Sequence, residues 1–335
     1  IVEYIAQTRG WFYTLMVLST ALFDRPPFKN CICHGVVLDD KGQKLSKRLN
    51  NYADPMDIFN KFGADAMRWV MVSAPIMHGG ELLIDKEGNM IRDAVRLVIK
   101  PVYNAYNFFA LYANADDIKA SFIEDAAHPM DQYILAKCKG AVESIQQALD
   151  AYDLPSACGY VEEFYEVLNN WYIRRSKERF WKEGRDDDKQ AAYDTLYTVQ
   201  HVMVRALSPL LPLLSEDIWQ NLHARDVDSV HLQDYPDVTG WQSQEKLLTA
   251  MDRVRDVCNT ALSIRNQEQI RVRQPLERLT VVAKHAQDLE AFEAIIKDEI
   301  NIKSIAYQED VTAFADYNLK IHFPVLGKRL PQKMK

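Results

Sequence analysis

Apolar residues near the start of the chain recur at the spacing of an α-helix. A repeat every three or four residues predicts a core helix, and it runs through Trp11, Leu15, Leu18 and Leu22. The sequence DRPP at residues 24–27 should end this helix, because proline cannot continue one. Its apolar run, residues 11–23, is shorter than the roughly 20 residues that cross a membrane. We therefore predict no membrane segment.

The next apolar run, CICHGVVL at residues 31–38, is short and reads as a buried strand. A turn is expected at DDKG, residues 39–42, before a lysine-rich loop and a short helix from about Pro55. This order of helix, strand and loop suits part of a doubly wound α/β domain.

From about residue 88 the apolar pattern is helical. One long stripe should be kinked at Pro101, and it runs through Ile91, Val95, Val98, Val102, Ala105, Phe109 and Tyr112. Two further stripes come after it, at Val161, Phe164, Leu168 and Trp171, and at Leu196, Val199, Met203 and Ala206. Stripes joined by short polar connections predict an antiparallel helical bundle.

A last helix is expected at about residues 244–267, and the pattern then becomes mixed. Strands at 279–283 and 302–307, with a helix at 289–297, indicate the start of a small α/β module. The fold class is therefore mainly α with α/β parts. We predict four segments: 1–90 α/β, 91–127 a helical connector, 128–243 the bundle, and 244–335 the helix with the partial α/β module. Because the chain begins at Ile1 and ends in KRLPQKMK, we expect it to be cut from a longer polypeptide.

Composition is that of an ordinary soluble protein, with 48% apolar and 26% charged residues. A net charge of -7 argues against a surface that is basic all over, but a local basic stripe could still bind nucleic acid. Five scattered cysteines do not suggest a disulfide framework, and they favour a reducing cytoplasm. Cys31, Cys33 and His34 lack the second pair of ligands that a structural zinc site needs, so we predict no metal site.

The sharpest local feature is KLSKR at residues 44–48, shortly after Gly42. It places the ammonium groups of Lys44 and Lys47 three residues apart on a mobile loop after a strand. Point charges on flexible stems suit the charge that develops on a departing pyrophosphate. Taken alone, such a cluster is more often a solvated basic turn.

The surrounding motifs change that balance. KLSKR resembles the KMSKS signature of the class I aminoacyl-tRNA synthetases. Three further motifs stand in the order typical of the isoleucine, valine and leucine branch of that class: HGVV at 34–37, NYADP at 51–55 and FGADAMR at 62–68. YIAQTRGWF at 4–12 is similar to the isoleucine members. NWYIRRS at 170–176 resembles their anticodon-binding bundle, and IRVRQPL at 270–276 resembles the junction after it. The resemblance covers essentially the whole chain, and it implies that residues 1–90 are the second half of a Rossmann-like catalytic domain.

Two positions of the signature depart from the family pattern. Leu45 stands where the family has methionine, and Arg48 stands where it has serine. An arginine at the second of these positions resembles the branch of isoleucine enzymes that includes eukaryotic forms, and it would add a contact to phosphate. A HIGH-type signature does not occur in the sequence, and in the family it precedes the region matched by residue 1. We therefore expect the chain to be inactive in isoleucine activation by itself.

The resemblance implies that the intact enzyme uses ATP with Mg²⁺ to activate isoleucine and then transfers it to tRNA(Ile). Lys44 and Lys47 would be catalytic. The residues implied in ATP and adenylate binding are Gln7, Gly10, His34, Gly35, Lys44, Leu45, Ser46, Lys47 and Arg48. Trp11 would wall the isoleucine pocket, although it could instead be the first core residue of its helix. For His34 the alternative is a strand-end histidine with a local hydrogen bond.

The resemblance and the basic side chains together imply tRNA contacts. These residues are Arg174, Arg175, Arg179 and Lys182 in the bundle, and Arg271 and Arg273 after it. The alternative for the first group is a solvated face paired with Glu178 and Glu183. The expected partners are tRNA(Ile), isoleucine and ATP, with the protein a monomer. Two other functions stay open: a valine or leucine enzyme, and a non-catalytic tRNA-binding module.

Overall fold

The computed structural model describes residues 1–310. Backbone contacts divide the chain after Gln244 into two units. The last predicted segment, 244–335, is therefore described only to residue 310, and its residues 311–335 lie outside the described part. Within residues 1–310 no helix has both the length and the apolar character needed to cross a membrane.

The first unit begins with short parallel strands. Strand β1 (Val2–Tyr4) pairs with β2 (Ile32–His34), and the helix α1 (Trp11–Phe23) connects them. Strand β3 (Val37–Leu38) pairs in parallel with β4 (Leu82–Leu83). The predicted buried strand at 31–38 is thus two strands, and its first residue, Cys31, is exposed. Parallel strands with helical connections agree with the predicted α/β class.

Helix α1 has the predicted position, but it is not a core helix among the described residues. Only Phe12 is buried, and its ring lies 6.2 Å from that of Phe28. Trp11 is 50% exposed and Leu22 is 70% exposed. Leu18 is also exposed, at 52%, so the predicted stripe is not the side of the helix that is covered. The burial prediction is wrong because, within residues 1–310, only the Phe12 side of that helix is covered.

Two short helices connect the lysine-rich loop to the rest of the unit. Helix α2 (Pro55–Phe62) begins at Asp54, whose side chain accepts a hydrogen bond from Met56 N at 2.8 Å. Gly63, with φ +85°, turns the chain into α3 (Ala64–Ser73). This left-handed φ favours glycine, since a side chain would be strained there.

Helix α3 is fastened to the helical bundle by three polar side chains. The buried carboxylate of Asp65 accepts a 2.7 Å hydrogen bond from Leu214 N. Arg68 donates to the carbonyl oxygen of Pro209 at 2.8 Å, and the indole of Trp69 donates to Glu162 Oε1 at 3.3 Å. These contacts connect residues up to 149 positions apart. They fix the strand-bearing segment on the bundle.

The long stripe predicted around Pro101 forms two helices with a wider turn between them. Helix α4 (Asn89–Ala94) continues through a π-helical turn (Val95–Ile99) into α5 (Lys100–Asp116). The irregularity lies directly before Pro101, which lacks the backbone N–H of a regular helix. The stripe is largely buried: Ile91, Val98, Val102, Ala105 and Phe109 are all in the core.

The bundle consists of helices around a mainly apolar centre. These are α6 (Pro129–Asp150), α7 (Leu154–Val167), which passes through a π-helical turn (Leu168–Ile173) into α8 (Arg174–Trp181), then α9 (Asp187–Leu207) and α10 (Pro212–Leu222). Every residue of the two predicted stripes is buried: Val161, Phe164, Leu168 and Trp171, with Leu196, Val199, Met203 and Ala206. The helical periodicity therefore predicted this core correctly.

The second unit has the predicted α/β composition. Helix α11 (Glu245–Gln267) is followed by strand β5 (Leu276–Val282), a 3₁₀ turn (Ala286–Phe292), helix α12 (Glu293–Ile300) and strand β6 (Ile302–Gln308). The two strands are parallel. Arg265, only 4% exposed, donates to the carbonyl oxygens of Gln274 at 3.0 Å and Ile300 at 2.7 Å. Its guanidinium therefore joins α11 to the α/β module.

We predict that Asp65→Ala lowers the free energy of unfolding of the chain by about 1–2 kcal/mol. The substitution leaves backbone N–H groups at the start of α10 without their side-chain acceptor. Asp57→Ala is the matched control, since Asp57 is an exposed carboxylate in the first turn of α2. Urea denaturation followed by circular dichroism measures both. Equal losses in the two variants would contradict the role of Asp65.

Candidate active site

The site forms where the first pair of parallel strands ends. Tyr4 and His34 are the last residues of β1 and β2, and they are paired in register. Their rings lie 6.0 Å apart, and the ammonium group of Lys44 lies 5.7 Å above the Tyr4 ring. Open α/β sheets bind ligands beyond the carboxyl ends of their strands. The structure thus places His34 and Lys44, which are ten positions apart in the sequence, next to the same residue, Tyr4.

The imidazole of His34 has close neighbours on both of its nitrogens. Nδ1 donates to the carbonyl oxygen of Gly35 at 2.9 Å, and Nε2 lies 3.4 Å from Glu3 Oε2. The local hydrogen bond that we gave as the alternative is therefore present. The contact with adenosine stays a prediction.

Gly35 lies where the chain of residues 79–80 passes very close. A Cβ atom at Gly35 would lie 1.6 Å from the carbonyl oxygen of Gly80, and Gly35 N donates to Ile76 O at 2.9 Å. No side chain fits between these two backbones. The requirement for glycine at this position is explained by packing within the chain, whatever its predicted part in adenosine binding.

Gln7 and Gly10 shape the start of α1. The side-chain oxygen Oε1 of Gln7 accepts a 2.9 Å hydrogen bond from Trp11 N, which caps the helix. A Cβ at Gly10 would lie 2.8 Å from that oxygen, the end of a flexible side chain. Trp11, half exposed, is not the core residue that our alternative proposed. Its place in an isoleucine pocket, and the adenylate contacts of Gln7 and Gly10, stay predictions.

The signature loop leaves β3 and returns beside it. Lys44 forms an antiparallel bridge with Leu38, after a turn in which Gly42 has φ +74°. Lys44, Lys47 and Arg48 are exposed, whereas Leu45 and Ser46 are partly buried. The motif therefore presents its three cations to solvent and keeps its two uncharged side chains against the protein.

Two residues that our sequence reasoning did not single out hold this loop. Asn51 Nδ2 donates to Asp39 Oδ2 at 2.8 Å, and Asn51 Oδ1 accepts from Ser46 N at 2.9 Å. Hydrogen bonds to Asp39, first from the backbone of Gln43 and then from the Asn51 side chain, lower the pKa of Asp39. The sequence contained one indication of this role: Asp39 and Asn51 are turn-forming residue types, and they stand at the two ends of a basic loop.

Arg179 is not on a solvent face. Its guanidinium donates to both carboxylate oxygens of Asp131, at 2.7 and 2.8 Å, and to Asp188 at 2.9 Å. Asp131 is fully buried, and it also accepts a 2.8 Å hydrogen bond from Tyr172. Breaking such a buried pair typically costs about 3–5 kcal/mol. The structure therefore uses Arg179 to join α6, α8 and α9, and we remove it from the expected tRNA surface.

The other basic residues are placed differently. The Arg175 guanidinium lies 5.6 Å from the Trp171 ring, and Arg174 is exposed with Nε donating to Asn170 O at 2.8 Å. Lys182 forms an ion pair with Asp186, a carboxylate that our alternative did not include. In the second unit Arg271 and Arg273 are exposed on the connection between α11 and β5. Their contacts with tRNA stay predictions.

The sulfur atoms of Cys31 and Cys33 lie 3.9 Å apart near the start of β2. Among residues 1–310 no three histidine, cysteine, aspartate or glutamate side chains form a group that could hold a metal ion.

Family comparisons agree with this arrangement. Residues 1–82 match the family described as tRNA synthetases class I (I, L, M and V), and residues 131–281 match the anticodon-binding domain of tRNA ligase. The first match contains β1, β2, β3 and the signature loop, and the second contains most of the bundle. The chain therefore belongs to the class I aminoacyl-tRNA synthetases.

Within this class the whole chain is similar to isoleucine–tRNA ligases. The ligase of Rickettsia bellii is 54% identical over 100% of this chain and 32% of its own length. The ligase of Wolbachia pipientis is 52% identical, again over 100% of this chain and 32% of its own length. The chain thus spans about one third of the length of these relatives.

A solved structure agrees with the fold. It is the ternary complex of Agrobacterium radiobacter LeuRS with tRNA and LeuAMS, with a TM-score of 0.54 and 20% identity. The match covers 74% of this chain and 29% of that chain. At this identity the likeness is evidence for the fold alone.

We predict that Gly35→Ala destabilises the chain by about 1–3 kcal/mol, because its methyl group would overlap the Gly80 carbonyl. Gly140→Ala is the control: no atom lies within 4 Å of a Cβ there, in the interior of α6. That change should stabilise the chain by about 0.5–1 kcal/mol. Thermal unfolding measures both variants, and an unaffected Gly35→Ala chain would contradict the close backbone packing.

Proposed function

We propose that this chain is the part of an isoleucine–tRNA ligase that carries the signature loop and the anticodon-binding bundle. The observation that carries the proposal is the position of Lys44 above Tyr4, beside His34, at the carboxyl ends of β1 and β2. The 54% identity with an isoleucine–tRNA ligase supports the choice of isoleucine over valine or leucine.

The proposed reaction has two steps. The carboxylate of isoleucine attacks the α-phosphorus of ATP, the bond to the bridging oxygen breaks, and pyrophosphate leaves. A terminal ribose hydroxyl of tRNA(Ile) then attacks the carbonyl carbon of the adenylate, and AMP leaves with the bonding electron pair. In the first step negative charge builds up on the departing pyrophosphate.

Lys44 and Lys47 are placed to stabilise that charge. Both ammonium groups are exposed on a loop, so they can approach phosphate oxygens without first leaving a buried ion pair. A preorganised cation acts on the transition state more than on the bound substrates. Arg48 adds a third exposed cation at the end of the motif. Mg²⁺, which binds oxygen ligands including substrate phosphates, would accompany ATP and neutralise part of the same charge.

The bundle is proposed to read the anticodon. Its match with the anticodon-binding family covers residues 131–281, which include all five of the remaining basic residues. With Arg179 engaged internally, the proposed contacts to tRNA phosphates are Arg174, Arg175, Lys182, Arg271 and Arg273. We further propose a monomer in the cytoplasm, a compartment that suits a chain with an odd number of cysteines.

We predict that this chain binds tRNA(Ile) more tightly than the same tRNA with an exchanged anticodon. Single-stranded loops expose the base edges that allow such discrimination. Affinity should fall steeply with salt, because each phosphate contact releases counterions. Fluorescence anisotropy with the two labelled RNAs, over a range of salt concentrations, measures both effects.

Arginine substitutions test the proposed surface in the same assay. Arg174→Ala should weaken binding of both RNAs alike and reduce the salt slope by about one, as expected for a phosphate contact. Arg96→Ala removes another exposed arginine, in the π-helical turn before α5, and should leave binding unchanged. Equal affinities for the two RNAs at every salt concentration would contradict anticodon recognition by this chain.

A further inference from the structure

The signature loop is closed by two side chains outside the signature. Asp39 directly follows β3, and Asn51 lies three residues beyond Arg48. Their side chains meet through the 2.8 Å hydrogen bond from Asn51 Nδ2 to Asp39 Oδ2. The whole KLSKR segment lies between these two positions. We call this pair the loop clamp.

Asp39 organises the first half of the loop. Its Oδ1 accepts hydrogen bonds from Lys41 N at 3.0 Å and Gln43 N at 2.7 Å, so one oxygen holds the turn around Gly42. Its Oδ2 is directed to Asn51. The residue is only 5% exposed, which leaves the carboxylate no comparable contact with water. The three hydrogen bonds that the Asp39 carboxylate accepts all come from residues 41–51.

Asn51 organises the second half. Its Oδ1 accepts from Ser46 N at 2.9 Å, and its Nδ2 also lies 3.3 Å from the carbonyl oxygen of Lys44. The side chain therefore contacts the backbone at the first lysine and at the serine next to the second. Lys86 supports the neighbouring residue by donating to Asn50 O at 3.1 Å.

We propose that Asp39 and Asn51 are positioning residues that set the backbone of the loop so that Lys44 and Lys47 face the reacting phosphates. The catalytic part of this proposal rests on the proposed function. Neither clamp side chain is expected to touch substrate. They act through the backbone atoms of Lys44 and Ser46, to which the Asn51 side chain is hydrogen-bonded.

The physical argument concerns flexible cations. A lysine side chain can reach a phosphate from many backbone positions, but only a loop already in place stabilises the transition state without being reordered during the reaction. A displacement of about 1 Å can lower a rate by about 100-fold. Fixing both ends of the loop and its centre reduces such displacement while the side-chain ends stay mobile.

Exchanging the two residues tests the clamp separately from the charge of Asp39. In the double variant Asp39→Asn with Asn51→Asp, the amide at position 39 can accept from the Lys41 and Gln43 N–H groups and donate to the carboxylate at position 51. That carboxylate can still accept from Ser46 N. The pair keeps its net charge and its central hydrogen bond, but the weak contact with Lys44 O is replaced by two acceptor oxygens that face each other.

Limited trypsin digestion of this chain measures how accessible the loop backbone is, because the protease cleaves after Lys44, Lys47 and Arg48. Asn51→Asp and Asp39→Asn should each increase cleavage there several-fold, and the exchanged double variant should restore most of the protection. Asp40→Asn, which removes the neighbouring exposed carboxylate, should change nothing. Cleavage after Arg273, in the second unit, is the internal reference for general unfolding.

The catalytic part is measured in an intact isoleucine–tRNA ligase that contains these residues. Single-turnover adenylate formation should slow by about 10- to 100-fold in each single variant, with isoleucine affinity unchanged, and should largely recover in the double variant. Unchanged trypsin cleavage in the single variants would overturn the clamp. Restored protection without restored rate would overturn its catalytic role. Absence of adenylate formation in the unsubstituted ligase would overturn the proposed function instead, since the digestion does not depend on activity.

Discussion

The hydrogen bond between Asn51 and Asp39 determines where the two lysines of the signature loop can be. The strands that carry the loop are only two or three residues long, too short to be stable without further packing. The position of these strands and of the loop therefore depends on how the segment after Asn51 packs on the rest of the unit. Helix α2 begins at Asp54, three residues later, and leads directly into α3, whose Asp65 and Arg68 bind the bundle. The loop is thereby fastened to the largest core of the first unit.

This arrangement gives the polar residues of the chain two distinct tasks. Asp39, Asp65 and Arg179 are largely buried, and their charges are used inside the protein, on backbone amides or on a buried carboxylate. Lys44 and Lys47 are exposed and are available to a ligand. A buried charge without a partner is costly, so each of the first group has its hydrogen bonds satisfied.

The helices could be predicted from the sequence because their information is local. One stripe runs from α7 into the following π-helical turn and the other along α9; both have a spacing of three and four residues, and all of their members are buried. The burial of α1 could not be predicted, since its apolar residues occur on more than one side and the spacing does not show which side is covered. Arg179 was misplaced for a related reason: its partner Asp131 is 48 residues away, and a stripe of arginines does not reveal it. The clamp joins residues twelve positions apart across a turn, where only the structure shows which polar groups meet.

The central claim is that the loop lysines act on the departing pyrophosphate. It is tested most directly by single-turnover adenylate formation in an intact isoleucine–tRNA ligase that contains these residues, with Lys44→Ala and Lys47→Ala, and with Lys41→Ala as the control for an exposed lysine just before the motif. The account predicts that each motif substitution slows the step by about 100-fold, with little change in isoleucine affinity, and that the control stays near the unsubstituted rate. Rates within twofold of the unsubstituted ligase for both motif variants would contradict it.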